Sequence, residues 1–406
     1  MSGPNNALAA ANSTITTYAY DARGERTGQT DGAGSAVASS TSNAYDAFGR
    51  VTSTTDARGN TITYSYDNLG RQVSSSQVVQ GATRTTQTTY DAFDRVMYTT
   101  DGAGNVTTYQ YDLANHKTIV TTADGVTVTT VRDAFGDVVT VTDGAGDVTT
   151  YTYDGDGNLL TTKDALGNLS SNQYDADGHL TQTTDATGHV VTYTYDASGH
   201  VLVRTVDPSG LNLVTSYAYD GEGRELSVTD PTGSVTAYSY DADGHVLTQV
   251  QDAGTGKLNL TTTYTYDGAG RQLTVTVGAG TSAARTTQYV YDNLERLSQT
   301  IVDPSGLHLA TSYTYDSNDN LTSVTDANGN ITRTVYNEAN EAVLSVGATG
   351  AVVQKTYDAD GRITSVHAYA TPLTSAQLSA LGSAPSLAQV QADLTATGAD
   401  QVSYTA

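Results

Sequence analysis

The stretch VTTYTYDGDGNLLTTKD, residues 148–164, contains the complete pattern on which this chain is built. It begins with a segment that ends in Tyr153-Asp154, passes through a turn that closes on Gly157, and continues through a Thr-rich segment to Asp164. Val, Thr and Tyr alternate with period two before the first turn, which favours a strand over a helix. Each such stretch therefore predicts two strands joined by a hairpin turn.

The two turns of the unit have the chemistry of β-hairpins. Asp67 opens the turn at residues 67–70, where its carboxylate can accept backbone N–H groups and can pair with Arg71. Gly70 closes this turn, because a hairpin with a bulge needs a left-handed residue that costs glycine little. A second turn follows the Thr-rich strand, as at residues 164–167. Two hairpin turns per unit predict a continuous antiparallel meander.

The unit recurs along almost the whole chain. Most neighbouring copies are 21 residues apart and the others are 24 to 26 apart, so the extra residues lengthen hairpins and leave the stacking of units intact. Two degenerate copies, Arg132-Asp133 and Tyr336-Asn337, bring the number of units to sixteen. The other units carry a Tyr-Asp pair at Tyr20, Tyr45, Tyr66, Tyr90, Tyr111, Tyr153, Tyr174, Tyr195, Tyr219, Tyr240, Tyr266, Tyr291, Tyr315 and Tyr357.

The repeat predicts an all-β fold, a long antiparallel meander of repeated β-hairpins with about 30 strands. Because strand twist accumulates, we expect so long a sheet to curl into a spiral sheet. Equivalent tyrosines, such as Tyr153, Tyr174 and Tyr195, are expected to stack over one another. The predicted regions are a polar lead-in (1–14), the repeat array (15–369, units of 21–26 residues), a helical insertion (370–400) and the start of a truncated further repeat (401–406).

Two short helices are predicted in the insertion. Thr374 or Ser375 can cap the first helix, which runs to Leu381. Ser386 can cap the second, over residues 387–395. Its apolar residues lie at helical spacing and are expected to pack against the sheet. They are Leu387, Val390 and Leu394.

Composition excludes several classes of protein. The net charge of −24 argues against nucleic acid or an anionic membrane as partner, because each phosphate contact needs a Lys or Arg. Without cysteine, the chain has neither disulfides nor a thiolate metal site. Hydrophobic residues make up 37% of the chain, with 28 tyrosines and no tryptophan. We therefore expect thin, layered burial instead of a deep core.

Residues 1–11 lack a basic segment followed by an apolar one, so they do not read as a secretory signal. No apolar run approaches the roughly 20 residues that a membrane-spanning helix needs. We expect either export by a route that this segment does not encode or an origin inside a longer polypeptide.

Four copies, YDAFGR (45–50), YDNLGR (66–71), YDGAGR (266–271) and YDADGR (357–362), carry a specific resemblance. The chain resembles the YD-repeat, or RHS-repeat, family over about residues 18–369. The resemblance implies a long spiral β-sheet that forms a hollow shell. Such shells are found in bacterial polymorphic toxins, the cocoon components of insecticidal toxin complexes, surface adhesins and the animal teneurins.

In toxin members of the family the shell encloses a C-terminal effector and ends in a core that can cleave itself. Asp-Pro-Ser-Gly-Leu, which is similar to the opening of that core, occurs here twice in mid-array, at residues 207–211 and 303–307. No Asn-Pro, aromatic-rich segment follows either copy. The resemblance therefore implies shell wall, and it assigns neither self-cleavage nor an effector to any residue of this chain.

Several turns carry alternating acids that invite comparison with calcium loops. In the turn that begins at Asp154, Leu159 and Ala165 stand where an EF-hand needs Gly and Glu. Other copies replace Asp156 by residues that cannot bind a cation, such as Leu69. Turn chemistry is the main interpretation, weak calcium binding is the alternative, and no metal ligand is assigned. The acidic sets are Asp154, Asp156 and Asn158; Asp175 and Asp177; Asp241 and Asp243; and Asp316, Asn318 and Asn320.

The histidines do not form a recognisable catalytic or metal motif. His179, His200 and His245 stand where sister copies have arginine, which indicates a role in register, and a pH-sensing role is the alternative. The others are scattered, at His116, His189, His308 and His367. Gly254-Thr255-Gly256-Lys257 lacks the first glycine and the Ser or Thr of a phosphate loop, and no Gly-x-Ser-x-Gly elbow exists.

The sequence thus predicts no catalytic, cofactor-binding or metal-binding residue and no cofactor. It predicts a non-enzymatic shell or scaffold segment of a large, exported bacterial repeat protein, secreted or on the cell surface. The expected partner is the rest of the same polypeptide or an encapsulated effector. The alternative is a cell-surface adhesin whose tyrosine face or hairpin tips bind glycans, because aromatic rings suit sugar rings.

Overall fold

The computed structural model describes residues 15–404, so the predicted lead-in (1–14) and residues 405–406 lie outside the described part. The described chain contains 33 strands and two short helices, and all its strands belong to one sheet. Within each of the two compact units described below, consecutive strands pair antiparallel, as β13 does with β14 and β14 with β15. This confirms the predicted all-β meander.

The strands follow one another at short intervals, and the helices lie between the last two. In chain order they are β1 (Thr17–Tyr20), β2 (Arg26–Asp31), β3 (Ser39–Tyr45), β4 (Val51–Thr55), β5 (Thr61–Tyr66), β6 (Gln72–Val79), β7 (Ala82–Tyr90), β8 (Val96–Thr100), β9 (Val106–Asp112), β10 (Lys117–Thr121), β11 (Thr127–Arg132), β12 (Val138–Thr142), β13 (Val148–Tyr153), β14 (Leu159–Lys163), β15 (Leu169–Tyr174), β16 (Leu180–Thr184), β17 (Val190–Tyr195), β18 (Val201–Val206), β19 (Leu213–Tyr219), β20 (Glu225–Thr229), β21 (Val235–Tyr240), β22 (Val246–Gln251), β23 (Leu260–Tyr266), β24 (Gln272–Val277), β25 (Arg285–Tyr291), β26 (Leu297–Val302), β27 (Leu309–Tyr315), β28 (Leu321–Thr325), β29 (Ile331–Tyr336), β30 (Ala342–Val346), β31 (Val352–Tyr357), β32 (Ile363–Ala368), α1 (Ser375–Ala380), α2 (Leu387–Asp393) and β33 (Gln401–Tyr404).

The chain divides into two compact units. Unit 1 consists of the described parts of Met1–Val106 and Thr287–Ala406, and unit 2 is Thr107–Thr286. In unit 2 the strands extend the meander one hairpin at a time, through turns such as the one at residues 154–157. Unit 1 is built from the same hairpins and also contains the helices.

Most first-turn hairpins contain a bulge at the tyrosine that precedes the turn, whereas the hairpin at Tyr111 keeps a regular register. In unit 2, Thr152 pairs with Thr161 but Tyr153 pairs with Leu159, so one residue is left over. Gly157 has φ +85°, the left-handed conformation that this bulged turn requires. The alternation also gives the sheet two chemically different faces. In β13 the tyrosines are half-buried, whereas the opposite side, which carries Thr150 and Thr152, is exposed. We call these the tyrosine face and the threonine face.

In unit 1 the two helices lie on the threonine face. Thr374 and Ser386 cap them, and each helix begins with a complete capping box. The second helix ends at Asp393, slightly before the predicted residue 395, and its Val390 is completely buried. The strands beneath carry valine and leucine where other copies have Thr or Ser, because here the face is covered. The core consists of Val335, Val343, Leu344, Val346, Val352, Leu373, Leu381 and Val390.

Unit 1 also brings together hairpin tips that are far apart in the sequence. The first turn of a repeat follows its Tyr-Asp pair, and the second turn follows its Thr-rich strand. First turns within residues 294–360 contact second turns within residues 32–103 in a contact zone that we call the seam. Its hydrogen bonds include Ser317 Oγ to the Ala57 carbonyl (3.0 Å), Asn318 Nδ2 to the Asp56 carboxylate (2.5 Å), Gln80 N to Glu338 Oε2 (2.9 Å) and Ala103 N to Asp360 Oδ1 (3.2 Å).

The partners in the seam are 257 to 279 residues apart in the chain. A straight meander could not make these contacts, because each strand would carry the chain about 4.8 Å further from its start. The contacts therefore agree with the prediction that so long a sheet curls.

Candidate functional site

The first turn of each repeat is the most regular arrangement of charged side chains in the described residues. In the copy at residues 67–71, Asp67 Oδ1 accepts the backbone N–H groups of Leu69 (2.9 Å) and Arg71 (3.0 Å). Asp67 Oδ2 accepts Arg71 Nε at 2.7 Å and lies 2.6 Å from Arg71 Nη2. One carboxylate therefore closes the turn and fixes the arginine, and the predicted Asp–Arg pair is confirmed.

Four of the fixed arginines lie against the tyrosine of the next repeat, namely Arg50, Arg71, Arg224 and Arg296. The guanidinium of Arg50 lies 4.7 Å from the centre of the Tyr66 ring, and Arg71 has the same relation to Tyr90. The Tyr66 hydroxyl donates back to the carbonyl of Val51, at 2.7 Å. We call this series of stacked side chains in successive repeats a column. The sequence predicted that tyrosines would stack directly on one another, whereas in the structure a cationic side chain lies between the turn of one repeat and the tyrosine ring of the next.

The histidines that replace these arginines preserve the column. The His179 ring stacks on Tyr195 at 4.8 Å, and its Nδ1 lies 3.1 Å from Asp175 Oδ2. An imidazole thus supplies both contacts that the guanidinium supplies elsewhere. Equivalent stacks join His200 to Tyr219 and His245 to Tyr266. This agrees with the role in register that the sequence indicates.

The turn hydrogen bonds shift the ionisation of the aspartates. Burial alone would raise the pKa of Asp67, but hydrogen bonds from the Arg71 side chain and backbone outweigh it and hold this pKa below its usual range. The side-chain hydrogen bond from Asn158 lowers the pKa of Asp154, and that from His200 lowers the pKa of Asp196. These carboxylates are therefore stabilised in the charged form, which suits a structural anchor and does not suit a general acid.

Two turns bring a histidine and two acids together, a combination that the sequence reading treated separately. In each of the sets Asp175, Asp177, His179 and Asp241, Asp243, His245, one ligand atom per residue lies within 4.8 Å of the others. The first aspartate of each set already accepts two backbone N–H groups and faces the histidine. Turn closure accounts for the same atoms, so the absence of a metal ligand stays a prediction.

The remaining histidines lie in separate places. His116 and His308 occupy left-handed turn positions, with φ of 50° and 51°. His189 Nδ1 lies 3.1 Å from Asp185 Oδ2 in an exposed second turn. His367 Nε2 lies 2.9 Å from Asp400 Oδ2, a contact that joins the two ends of the helical insertion. The backbone N–H of Ala370 and the His367 ring hold the pKa of Asp400 well below its usual range.

The two other features that the sequence singled out are hairpin tips. Lys257 pairs with Asp252 at 3.3 Å, and Asn259 Oδ1 accepts the backbone N–H of Gly254 at 2.8 Å, so this segment is a closed turn. In the insert at residues 207–211, Asp207 Oδ2 accepts the backbone N–H of Leu211 at 2.7 Å. Both inserts lengthen hairpins between paired strands, as predicted.

The tyrosine face offers little free aromatic surface for a sugar. Besides the stacking on arginine or histidine, the column hydroxyls donate to main-chain carbonyls one repeat back, as Tyr195 does to Leu180 at 2.7 Å and Tyr240 to Glu225 at 2.6 Å. Ladder packing therefore accounts for both the rings and the hydroxyls. The three phenylalanines lie at hairpin tips, where Phe135 is 93% exposed, and the exposed tyrosines include Tyr20 on β1 and Tyr404 on β33.

Two cavities lie beside the seam in unit 1. The larger, of about 370 Å³, is lined by Thr16, Asp31, Ser39, Leu294, Glu295 and Asp319. The smaller, of about 230 Å³, is lined by Thr54, Asp56, Asn60, Ile62, Gln77, Ala339 and Asn340. The residues that line them include no histidine, cysteine or lysine, and the Asp56 and Ser39 side chains are used in the seam.

The sequence reading missed the residues that hold the seam. Arg84 forms two hydrogen bonds with the Glu341 carboxylate, at 2.6 and 3.1 Å, and the two side chains are 17% and 11% exposed. Glu341 stands where other copies have arginine, and Asn337 replaces the turn aspartate. This double change could have drawn attention to the copy, because it puts an acid where other copies have arginine, and Asn337 Nδ2 donates to that acid within the turn. Arg58 contributes similarly by donating to the carbonyls of Tyr336 and Asn337.

Across residues 15–404, neither helix has the length or the apolar character needed to cross a bilayer.

The RHS repeat family model matches more than half of the chain, at residues 45–83, 90–127, 132–169, 174–211, 202–233, 219–257, 300–331 and 315–341. A sequence comparison with curated proteins gives no match. Among solved structures, TcdB2-TccC3-Cdc42 superposes with a TM-score of 0.69 and 15% identity over 87% of this chain. TcdB2-TccC3 gives 0.69 and 16% over 87%, and the Photorhabdus luminescens Tc holotoxin pore with the TccC3 change D651A gives 0.68 and 16% over 87%.

These alignments cover 23%, 24% and 23% of the other chains, so this chain spans about a quarter of their length. At such low identity the likeness concerns the fold, and it agrees with the meander described above. The family itself is established by the repeat matches, which include the turns that form the Asp–Arg–Tyr and Asp–His–Tyr columns. The chain therefore belongs to the RHS repeat family.

Proposed function

We propose that this chain is a non-enzymatic wall segment of a large, exported bacterial RHS-repeat protein, and that the wall encloses or presents a toxin or effector region lying outside this chain. The proposal assigns the repeats a mechanical task, which is to form and hold a surface. Its partner is the remaining polypeptide or the effector, and its location is outside the producing cell or at the cell surface.

One observation carries the proposal. After the array, residues 373–394 lie on the threonine face of unit 1 and bury it. Arg333 reaches from that face to the helices, where Nη2 donates to the Leu378 carbonyl at 3.0 Å and Nε donates to the Gly382 carbonyl. The chain itself thus uses the threonine face as the side on which following polypeptide lies.

The chemistry of the threonine face suits a surface that touches cargo without holding it tightly. In unit 2 it carries Thr152 and Thr161, whose hydroxyls pair at 2.6 Å, and Thr265 and Thr274, which pair at 2.7 Å. The turn aspartates lie at the hairpin tips instead. A neutral face of hydroxyl and methyl groups offers neither strong ion pairs nor a deep apolar groove, so we expect weak contact with an enclosed chain.

The test is cryo-electron microscopy of the polypeptide that carries residues 1–406 together with its effector region. We expect a hollow wall with effector density against the threonine face. A compact particle with no internal space, or effector density confined to the tyrosine face, would contradict the proposal.

Thiol labelling gives an independent readout, because the chain has no cysteine of its own. We expect Thr152→Cys and Thr194→Cys, both exposed on the threonine face, to react slowly with a bulky maleimide in the effector-containing protein. Ala269→Cys, at an exposed first turn, is the matched control and should react quickly. Equal rates at all three positions would argue against enclosure.

A second candidate function, glycan binding by a surface adhesin, is supported by the exposed tips more than by the tyrosine face. Phe135 and its neighbours at first turns could stack on the apolar face of a sugar ring. Binding on a glycan array that Phe135→Ala abolishes would favour this candidate. Binding that Phe135→Ala leaves unchanged, or no binding at all, would count against it.

A further inference from the structure

The first turns of the early repeats in unit 1 form an exposed apolar rim. Phe48, Leu69 and Phe93 occupy the third position of successive Asp-x-x-Gly or Asp-x-x-Asp turns and are 84%, 72% and 75% exposed. We propose that this rim, which we call the phenylalanine rim, binds second-turn tips of another copy of the chain and so adds a further layer of hairpins. The proposal is independent of the enclosed effector.

The seam shows how such a rim is covered. Four successive first turns, at Leu294, Ser317-Asn318, Glu338 and Ala359-Asp360, meet four successive second turns. Leu294 stands at the same turn position as Phe48, and its side chain lies against Gly32, where an added Cβ would be 2.8 Å from Leu294 Cδ2. First-turn rims in this fold therefore accept second-turn tips one to one.

The seam leaves one free rim of each kind in unit 1. The first and second turns of a repeat lie at opposite ends of its strands. In residues 31–103 the second turns form the seam, so the first turns, which make up the phenylalanine rim, remain exposed. Strands of residues 292–361 use their first turns, so the second turns at residues 303–307 and 326–329 remain at the opposite strand ends. Leu307 at one of these tips is 75% exposed. One free rim consists of first turns and the other of second turns, and these are the two kinds of turn that contact each other in the seam. The two free rims lie on the sides of unit 1 that face away from the seam.

Residue choice at the turn supports an interface over a solvated tip. The third turn position does not need an apolar residue, because Asp156, Asp177 and Asp243 occupy it in other copies. A chain with a net charge of −24 does not gain solubility from a row of Phe and Leu. Consecutive exposed apolar side chains on such a surface typically mark a binding site.

The geometry makes the contact heterologous, because a first-turn rim of one copy meets a second-turn rim of the next. Such a contact leaves the same two rims free at the ends of every assembly, so association is open-ended. Repulsion between copies of charge −24 opposes it, and salt screens that repulsion. We therefore expect association to increase with salt, which is the opposite of an interface held by ion pairs.

The experiment is sedimentation velocity of the purified chain over a concentration series at low and high salt. We expect the average mass to rise with concentration, and more steeply at high salt. The triple variant Phe48→Asp, Leu69→Asp, Phe93→Asp should weaken association by about tenfold or more. Because aspartate occupies this turn position naturally in sister copies, the variant should fold, which circular dichroism checks.

Leu166→Asp is the control, because this 89% exposed tip in unit 2 lies outside the second-turn rim at residues 303–307 and 326–329 to which we assign the contact, and this variant should associate like the unchanged chain. A chain that stays monomeric throughout the series at both salt concentrations would overturn the proposal. So would association that the triple variant leaves unchanged, or that Leu166→Asp reduces equally. Disulfide-linked ladders formed by a Leu69→Cys, Leu307→Cys double variant, and not by either single variant, would support the specific pairing of the two rims.

Discussion

The aspartate of the first turn explains why this family of turns tolerates so much change around it. In the copy at residue 46, Asp46 accepts the N–H groups of Phe48 and Arg50 with one oxygen and the Arg50 side chain with the other. The residue after the glycine can therefore be any donor that reaches this oxygen and lies flat on the next tyrosine. Arginine and histidine both satisfy these two conditions, and asparagine satisfies the first.

The column predicts that arginine and histidine are interchangeable and alanine is not. We expect Arg71→Ala to destabilise the local hairpin and to speed amide exchange there by a few-fold, because it removes the pair with Asp67 and the contact with the Tyr90 ring. Arg71→His should retain most of this stability. Hydrogen exchange of the amides of residues 66–71 measures the effect.

Arg362→Ala is the control for this prediction, because the Arg362 side chain is 66% exposed and should contribute less. If Arg71→His loses as much protection as Arg71→Ala, the contact with Tyr90 has no role in stability. If Arg362→Ala loses as much as Arg71→Ala, the exposure of the pair does not decide its strength.

The turn aspartates also predict how stability depends on pH. Asp67 and Asp154 are examples of turn aspartates whose pKa in the folded chain lies below the ordinary value of 3.8, so protons bind more readily to these groups in the unfolded chain. The stability that these groups contribute is therefore complete above about pH 4 and is lost as the pH falls through the folded pKa values. We expect the thermal midpoint to fall steeply below about pH 4.

Circular dichroism during heating, at a series of pH values, measures this dependence. Asp67→Asn should reduce the slope at low pH, and Asp243→Asn changes the net charge equally and serves as the charge control. A midpoint that rises as the pH falls below 4 would show that relief of the overall negative charge outweighs the turn hydrogen bonds.

At the scale of the hairpin, the sequence predicts most of what the structure contains. Strand alternation, the glycine that closes each turn and the caps at Thr374 and Ser386 are local features, and each has the structure that local chemistry predicts. The arginine or histidine between successive tyrosines was not predicted, because it depends on where one repeat places its turn relative to the next. A local pattern does not contain that distance.

The seam was not predicted either, because a local pattern also does not specify how distant repeats are placed relative to one another. Which second turn meets which first turn depends on how far the sheet bends over about 260 residues, and no short motif records it. The helical insertion was predicted in part. Its apolar face was visible in Val390 and Leu394, whereas the side of the sheet that receives it had to be read from the buried valines of β30 and β31.

The copy at Tyr336 lacks the usual Asp and Arg of the first turn, and we predict that introducing them destabilises the seam. Asn337→Asp with Glu341→Arg would rebuild the usual Asp–Arg turn, but it would also place an arginine opposite Arg84. We expect the seam to lose about 1.5–3 kcal/mol, because a charged hydrogen-bonded pair is replaced by two like charges. Faster hydrogen exchange at residues 77–84 and 337–341 would report the loss.

The compensating change provides the control for the seam. Arg84→Glu, added to the Asn337→Asp, Glu341→Arg variant, should restore much of the protection by reversing the pair. Protection that the double variant leaves unchanged would mean that main-chain contacts alone hold the seam. A triple variant no better than the double would mean that the pair cannot be reversed in this setting.

Considered as a whole molecule, the chain combines two kinds of cooperativity. In unit 2 the strands hydrogen-bond to their neighbours in the chain, as β13 does to β12 and β14, so stability there is a sum of neighbouring contacts. In unit 1 the seam adds contacts between hairpins whose contacting residues are 257 to 279 residues apart. Residues 32–103 and 294–360 are therefore expected to open together, although their separation in the chain is large.

Native-state hydrogen exchange in increasing denaturant tests this last expectation. We expect the amides of the strands between residues 32 and 103 and those between residues 294 and 360 to exchange through one shared opening reaction. Their free energies of opening should then converge to the same value and have the same dependence on denaturant. Strands of unit 2 should open in smaller groups, because their neighbours in the chain are the partners that must separate.

The Asn337→Asp, Glu341→Arg variant should split the joint reaction of unit 1 into two and leave unit 2 as it was. Independent opening of the two stretches in the unchanged chain would show that the seam is too weak to couple them, and the layered wall would then depend on neighbouring hairpins alone.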